Sequence, residues 1–125
     1  MSTATKLSER SCDQFCQVGA VIISDDNTQI LALGYNGNHQ GGPNERESTD
    51  PGESGLIHAE MNALIHLDFN NPKKKIIYIT HSPCRMCSKL LINAKISEVV
   101  YRTKFREDSG LELLRDSGII VRQIL

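Results

Sequence analysis

The chain of 125 residues contains no hydrophobic run approaching the roughly 18 apolar residues that a membrane-spanning helix needs. Its opening stretch, Met1 to Arg10, lacks an apolar core, so a signal peptide is not expected and the cytoplasm is the default location. Nor is there an excess of charge of either sign: 14 basic against 15 acidic residues leave a formal net charge of −1. Proteins that track a phosphate backbone carry a basic excess or stripe. Its absence argues against nucleic acid as a partner and for a small-molecule substrate. Internal repeats and low-complexity segments are also missing. With four cysteines in a reducing compartment, ligands or free thiols are expected before a disulfide framework.

What is present reads as one domain over residues 1–125, with 39% hydrophobic residues for a single core. Val18 to Ser24 is rich in β-branched residues and reads as a buried strand. Asp25 to Thr28 is turn chemistry, and Gln29 to Gly34 a second strand; so short a connection implies an antiparallel hairpin. Tyr35 to about Gly55 has no apolar periodicity and is full of Gly, Pro, Asn and Ser, as a working loop would be. Helical spacing predicts a helix from Leu56 to about Phe69, stopped by Asn70-Asn71-Pro72. Ile76 to Thr80 reads as a central strand, and Pro83 suits the first turn of a helix running to about Lys95. A strand at Glu98 to Tyr101, a helix at Leu111 to Asp116 and a strand at Ile119 to Gln123 complete the chain. The order β-β-α-β-α-β-α-β predicts parallel crossovers after the hairpin and a sheet covered by helices.

Chemistry concentrates in His58-Ala59-Glu60 and Pro83-Cys84-Arg85-Met86-Cys87. One imidazole and two thiolates give three zinc ligands and leave the fourth tetrahedral position open for water, which marks a catalytic site. Cys84 and Cys87 are i and i+3 at the start of a helix, where the positive end favours thiolate. Zinc lowers the pKa of water from 15.7 towards about 7. Glu60, beside the metal but not needed as a ligand, suits a proton shuttle for that water. A Cys-x-x-Cys alone also fits a redox dithiol or half of a structural zinc knuckle. The redox motif, however, needs no His-x-Glu on the preceding helix, and a structural site would show a fourth ligand at similar spacing. Cys12 and Cys16 show no complete ligand set with His39 or His66 and are expected to be free thiols. His81 reads as structural or as a pocket wall, His66 as exposed, and Lys73-Lys74-Lys75 as a solvated turn.

The H-x-E and P-C-x-x-C signature is that of the zinc-dependent nucleobase deaminases. Beyond it, Gln17-Val18-Gly19-Ala20-Val21-Ile22, Gly34-Tyr35-Asn36-Gly37, His58-Ala59-Glu60-Met61-Asn62-Ala63, Tyr78-Ile79-Thr80-His81-Ser82-Pro83-Cys84 and Gly110-Leu111-Glu112-Leu113-Leu114 closely resemble deoxycytidylate (dCMP) deaminases, of the cytidine deaminase superfamily. The resemblance covers nearly everything after Gln17. It implies that zinc is held by His58, Cys84 and Cys87, with Glu60 catalytic. It also implies that the Ala59 amide and the Ser82 carbonyl hold the pyrimidine, and that Asn36 contacts substrate. A glycine-rich loop, here Gly37, Gly41 and Gly42, would contribute to nucleotide phosphate binding and to a site for dCTP and dTTP effectors with Mg²⁺. A homo-oligomer, hexamer favoured, is implied as well.

The sequence departs from that pattern in three places. The segment before Gln17 is shorter than the usual first helix, His39 replaces a common proline, and Glu45 stands where a cysteine for a second zinc would be expected. The monophosphate needs donors of its own, for which Arg46, Lys104 and Arg106 are nearby candidates, each otherwise an ordinary surface charge. The expected architecture is a three-layer α/β/α fold with a mixed five-stranded sheet. The expected reaction is hydrolysis of dCMP to dUMP. Its rivals are deamination of free (deoxy)cytidine or dCTP, and a non-catalytic nucleotide sensor on the same fold.

Overall fold

A computed structural model describes residues 1–105 and 107–124. The elements in chain order are α1 (Ser2–Ser8), β1 (Gly19–Ser24), β2 (Ile30–Tyr35), α2 (Ala59–Ile65), β3 (Lys75–His81), α3 (Arg85–Asn93), β4 (Glu98–Thr103), α4 (Ser109–Asp116) and β5 (Ile120–Gln123). They form the expected mixed five-stranded sheet in the order β2-β1-β3-β4-β5. β1 is antiparallel to both β2 and β3, whereas β3, β4 and β5 run parallel. Among the described residues no helix is long and apolar enough to cross a membrane.

The register shows how the strand patterns assemble one core. Ala32, Ile22, Ile77, Val99 and Val121 lie side by side across the five strands. Gly34, Ala20, Ile79 and Tyr101 form the next row on the same face. Onto these rows pack Ala59, Ala63 and Leu64 of α2, Leu91 of α3, and Leu111 and Leu114 of α4. The other face is met by α1, whose Ala4 carbonyl lies so close to Gly19 that a Cβ there would stand 2.0 Å away. Among the described residues, helices thus cover both faces unequally, three on one and a short one on the other.

Two differences from the sequence reading have local causes. The first is α1, which carries no apolar periodicity to announce it. Only seven residues long, it is held by burial of Ala4 and by Arg102 donating to Thr5 Oγ1 at 2.7 Å, both tertiary contacts. The second is α2, which is shorter than Leu56 to Phe69. At its front, Ile57 is bridged to Gly37 by two backbone hydrogen bonds of 3.0 and 2.8 Å, so the helix cannot begin before that residue. At its end, His66 and Leu67 donate to carbonyls three residues back, and Leu67 turns into the core.

Candidate active site

Two helix starts meet at the carboxyl end of β3. His58 is the N-cap of α2 and is extended at φ −67°, ψ 153°, continuing the Ile57 bridge. Glu60 follows as the second helical residue and is buried. Cys84 is the N-cap of α3, and its sulfur accepts the Cys87 N–H at 3.4 Å. Pro83 therefore lies one residue ahead of the cap, and not inside the first turn as its chemistry suggested. The reason is that Cys84 is extended, at φ −69°, ψ 171°, and takes the capping position itself. Gly110 at the start of α4 presses on this turn, where a Cβ would meet the Pro83 carbonyl at 2.5 Å.

The fold brings the three predicted ligands together. His58 Nδ1 lies 3.2 Å from Cys87 Sγ and 3.6 Å from Cys84 Sγ, and all three donor atoms fall within 4.8 Å of one another. Tetrahedral zinc with Zn–N near 2.0 Å and Zn–S near 2.3 Å spaces its ligands about 3.5–3.8 Å apart, so the set fits that ion. Among the described residues no other group of three or more His, Cys, Asp or Glu donors gathers this way. Cys12 and Cys16 are free thiols, as expected, and Glu45 and His39 are exposed.

The electrostatics of the group follow from contact and burial. The hydrogen bond from Cys87 is foremost in drawing the Cys84 thiol down to about 4, with His58 adding to it. Cys87, donating to Cys84 and buried, is pushed far upward. His58 is raised chiefly by its hydrogen bond with Cys84. Burial raises the carboxyl of Glu60 above the usual carboxylate range, against the smaller pull of His58. A carboxyl so placed accepts and releases protons nearer neutrality than an exposed one.

His58, Glu60 and Cys84 line a cavity of about 570 Å³, a size suited to a small ligand, while the buried Cys87 is not part of its lining. Ala59, Ser82 and Asn36 line it too. Ala59 is the first residue of α2, where a backbone N–H has no intrahelical acceptor. Ser82 is fixed by two bonds, its N–H to the Thr103 carbonyl at 2.9 Å and its hydroxyl accepting the Phe105 N–H at 2.6 Å. Asn36 is buried, and its amide is already at work in the scaffold. It accepts the Val18 N–H and donates to the Cys16 carbonyl, both at 2.8 Å, holding segment 16–18 against the cavity.

The three glycines singled out in the loop lie elsewhere. Gly37, Gly41 and Gly42 do not line the cavity; the loop residues that do are Arg46, Thr49, Pro51, Gly52 and Ser54. Gly37 is engaged with Ile57, and Gly41 takes a positive φ of 84° in open space. His81 lines the cavity and His66 is exposed, as read.

The candidate phosphate donors need correcting. Arg46 is not an ordinary surface charge. Its guanidinium donates to both carboxylate oxygens of Asp13 at 2.9 Å and stacks 4.8 Å over the ring of Phe15. That ion pair is nearly enclosed, with side-chain exposures of 12% for Arg46 and 4% for Asp13. Lys104 pairs with Asp108 at 2.9 Å on the surface, and Arg106 lies outside the described residues. Asp13 is the residue that sequence reasoning missed. Nothing in a Ser-Cys-Asp-Gln segment signals a buried carboxylate 33 positions from its partner. Asn62 was quoted only as part of a motif; its side chain donates to the Tyr35 carbonyl at 2.9 Å, tying α2 to the end of β2.

Sheet order, paired helix starts and a His/Cys/Cys donor set define the class. Residues 1–103 match the cytidine and deoxycytidylate deaminase zinc-binding region, and the chain belongs to that family. It is 32% identical over 138 aligned positions to the deoxycytidylate deaminase of Pongo abelii, covering 100% of this chain and 77% of that protein. To the deoxycytidylate deaminase of Mycobacterium phage D29 it is 31% identical, over 81% of this chain and 89% of the relative. Among solved structures it is similar to the dCMP deaminase of cyanophage S-TIM5 in complex with dCMP and dUMP. There the TM-score is 0.85 at 30% identity, covering 98% of this chain and 92% of that one.

Proposed function

We propose that the protein hydrolyses dCMP to dUMP and ammonia, a reaction that supplies thymidylate synthesis. One observation carries this reading: three zinc-type donors converge, two of them, His58 and Cys84, lining the cavity, while Glu60, buried in the same lining, stays outside the donor set. His58, Cys84 and Cys87 hold zinc, which when bound supplies a Lewis acid that brings the pKa of water towards about 7. The Ala59 N–H holds O2 of the pyrimidine, and the Ser82 carbonyl accepts from its 4-amino group. Glu60 takes a proton from water, delivers one to the ring nitrogen, and then assists the amino group as it leaves as ammonia. Asn36 keeps segment 16–18 in place at the cavity wall and faces the substrate from there.

Two further expectations belong to this proposal. One is a homo-oligomer, hexamer favoured, supported by the exposed apolar side chains of Ile65, Phe69, Met86 and Leu90. The other is control by dCTP and dTTP with Mg²⁺, bound through the loop of Gly37, Gly41 and Gly42. Light scattering with and without dCTP and Mg²⁺ tests both.

A second reading is favoured by the charges around the cavity. Arg46 is the one Arg or Lys among the described lining residues, and it is paired with Asp13; Glu107 also lines the cavity. A site of that kind suits an uncharged nucleoside such as deoxycytidine. The ratio of kcat/KM for dCMP to that for deoxycytidine separates the two. A preference for dCMP of a hundredfold or more supports the first reading; equal values, or a preference for deoxycytidine, overturn it.

A further inference from the structure

Thr80, next to last in β3, is fully buried. Its hydroxyl oxygen accepts the Gly19 N–H at 3.1 Å and lies 3.1 Å from Nδ1 of His81. A threonine hydroxyl has one proton to donate, and a buried one left without an acceptor is costly. Gly19 offers only a donor, so His81 Nδ1 is the acceptor of that proton among the described residues. An imidazole accepting at Nδ1 is neutral and carries its hydrogen on Nε2. Burial, with the Arg102 charge in support, holds His81 below its ordinary value and keeps that form dominant at neutral pH. The ring lines the cavity, and its Nε2 has no partner among the described residues.

We propose that His81 recognises substrate: Thr80 fixes its tautomer, and its Nε2–H donates a hydrogen bond to an oxygen of the bound nucleotide. The proposal rests on the reading of this cavity as the nucleotide site. The lining is rich in acids, Asp13, Glu60 and Glu107, and its arginine is already paired. An uncharged donor is the group such a site lacks for a ligand covered in acceptor oxygens. Gly19, Thr80 and His81 then form a relay of fixed polarity from the start of β1 to the cavity.

The test has a spectroscopic arm and a kinetic arm. In the zinc-loaded protein with ¹⁵N-labelled histidine, the His81 resonances, assigned against His81→Gln, should show a protonated Nε2 and a bare Nδ1. Adding dUMP should move the Nε2–H signal. Thr80→Val should lose the single tautomer and Thr80→Ser should keep it. A protonated Nδ1 in the wild type overturns the proposal. In the kinetic arm, His81→Leu should lower kcat/KM for dCMP about tenfold or more, mostly through KM, and His81→Gln should recover most of it. Equal losses with dCMP and deoxycytidine put the oxygen on the nucleoside, and a loss with dCMP alone puts it on the phosphate. Wild-type kinetics in His81→Leu with both substrates overturn the recognition role. If the wild type binds neither nucleotide, the reading of the cavity fails and the recognition role with it, while the tautomer result still decides the Thr80 lock.

Discussion

Gly34 lies directly against the first turn of α2: a Cβ there would stand 2.4 Å from the Ala59 carbonyl oxygen and 2.5 Å from the Ala63 nitrogen. Both neighbours are helix backbone and cannot swing away. The helix that carries His58 and Glu60 is thus seated on the sheet by the absence of a side chain. Gly34→Ala should lift α2, destabilising the fold by about 1–3 kcal/mol and loosening the His58 corner of the donor set. Denaturant unfolding together with zinc content reads both effects. Unchanged stability and full zinc would show that the helix seats itself by other contacts.

On the proposed roles, variants of Glu60 and Cys87 should separate proton transfer from metal binding. Glu60→Gln removes the shuttle but none of the three donors, so zinc should remain at one per chain while turnover falls about 10²–10⁴-fold. Near-normal ammonia release in that variant would sink the role assigned to the carboxyl.

Cys87→Ser removes a donor that is wholly buried. Zinc should be lost, and with it turnover and the order of the α3 start, measured by metal analysis and by amide exchange across residues 84–88. Retention of zinc at wild-type affinity would contradict the donor set.

The Asp13–Arg46 pair joins segment 11–17 to the loop that walls the cavity. Asp13→Ala leaves a guanidinium largely enclosed without its partner, and should cost about 3 kcal/mol in denaturant unfolding. Lys104→Ala, which removes an exposed pair, should leave the unfolding midpoint close to that of the wild type. If the two variants lose equal stability, the Asp13 pair is not the clasp its burial indicates.

Stability should also respond to acid through Asp26. Hydrogen bonds from Thr28 and Ser24, with Lys73 nearby, hold its carboxyl below the usual carboxylate range. The native value lies under the unfolded one, so this contribution is fully present above about pH 4. It is lost as pH falls below that point towards the native value. Asp26→Asn should therefore flatten the pH dependence of the unfolding midpoint in the acid range and leave its slope near neutrality unchanged.

Much of this architecture was legible in the residues because the signals were local. The β-branched runs of β1 and β3, the short hairpin turn and the His-x-Glu and Cys-x-x-Cys spacings each depend on neighbours within a few positions. What was hidden depended on distant pairing. The true start of α2 is set by Gly37 bridging Ile57, and α1 by Gly19 and Arg102. Arg46 looked like a free cation because its partner lies 33 positions away. Asn36 was expected to contact substrate through its motif and lines the cavity, but its hydrogen bonds to Val18 and Cys16 were not legible.

The measurement that tests the central claim most directly is formation of dUMP from dCMP by the zinc-loaded protein, followed with ammonia release and repeated after chelation and zinc return. The account predicts equimolar dUMP and ammonia, abolished by the chelator and restored by zinc. Undiminished turnover in protein verified to be free of metal, or no dUMP from fully loaded protein, would contradict it.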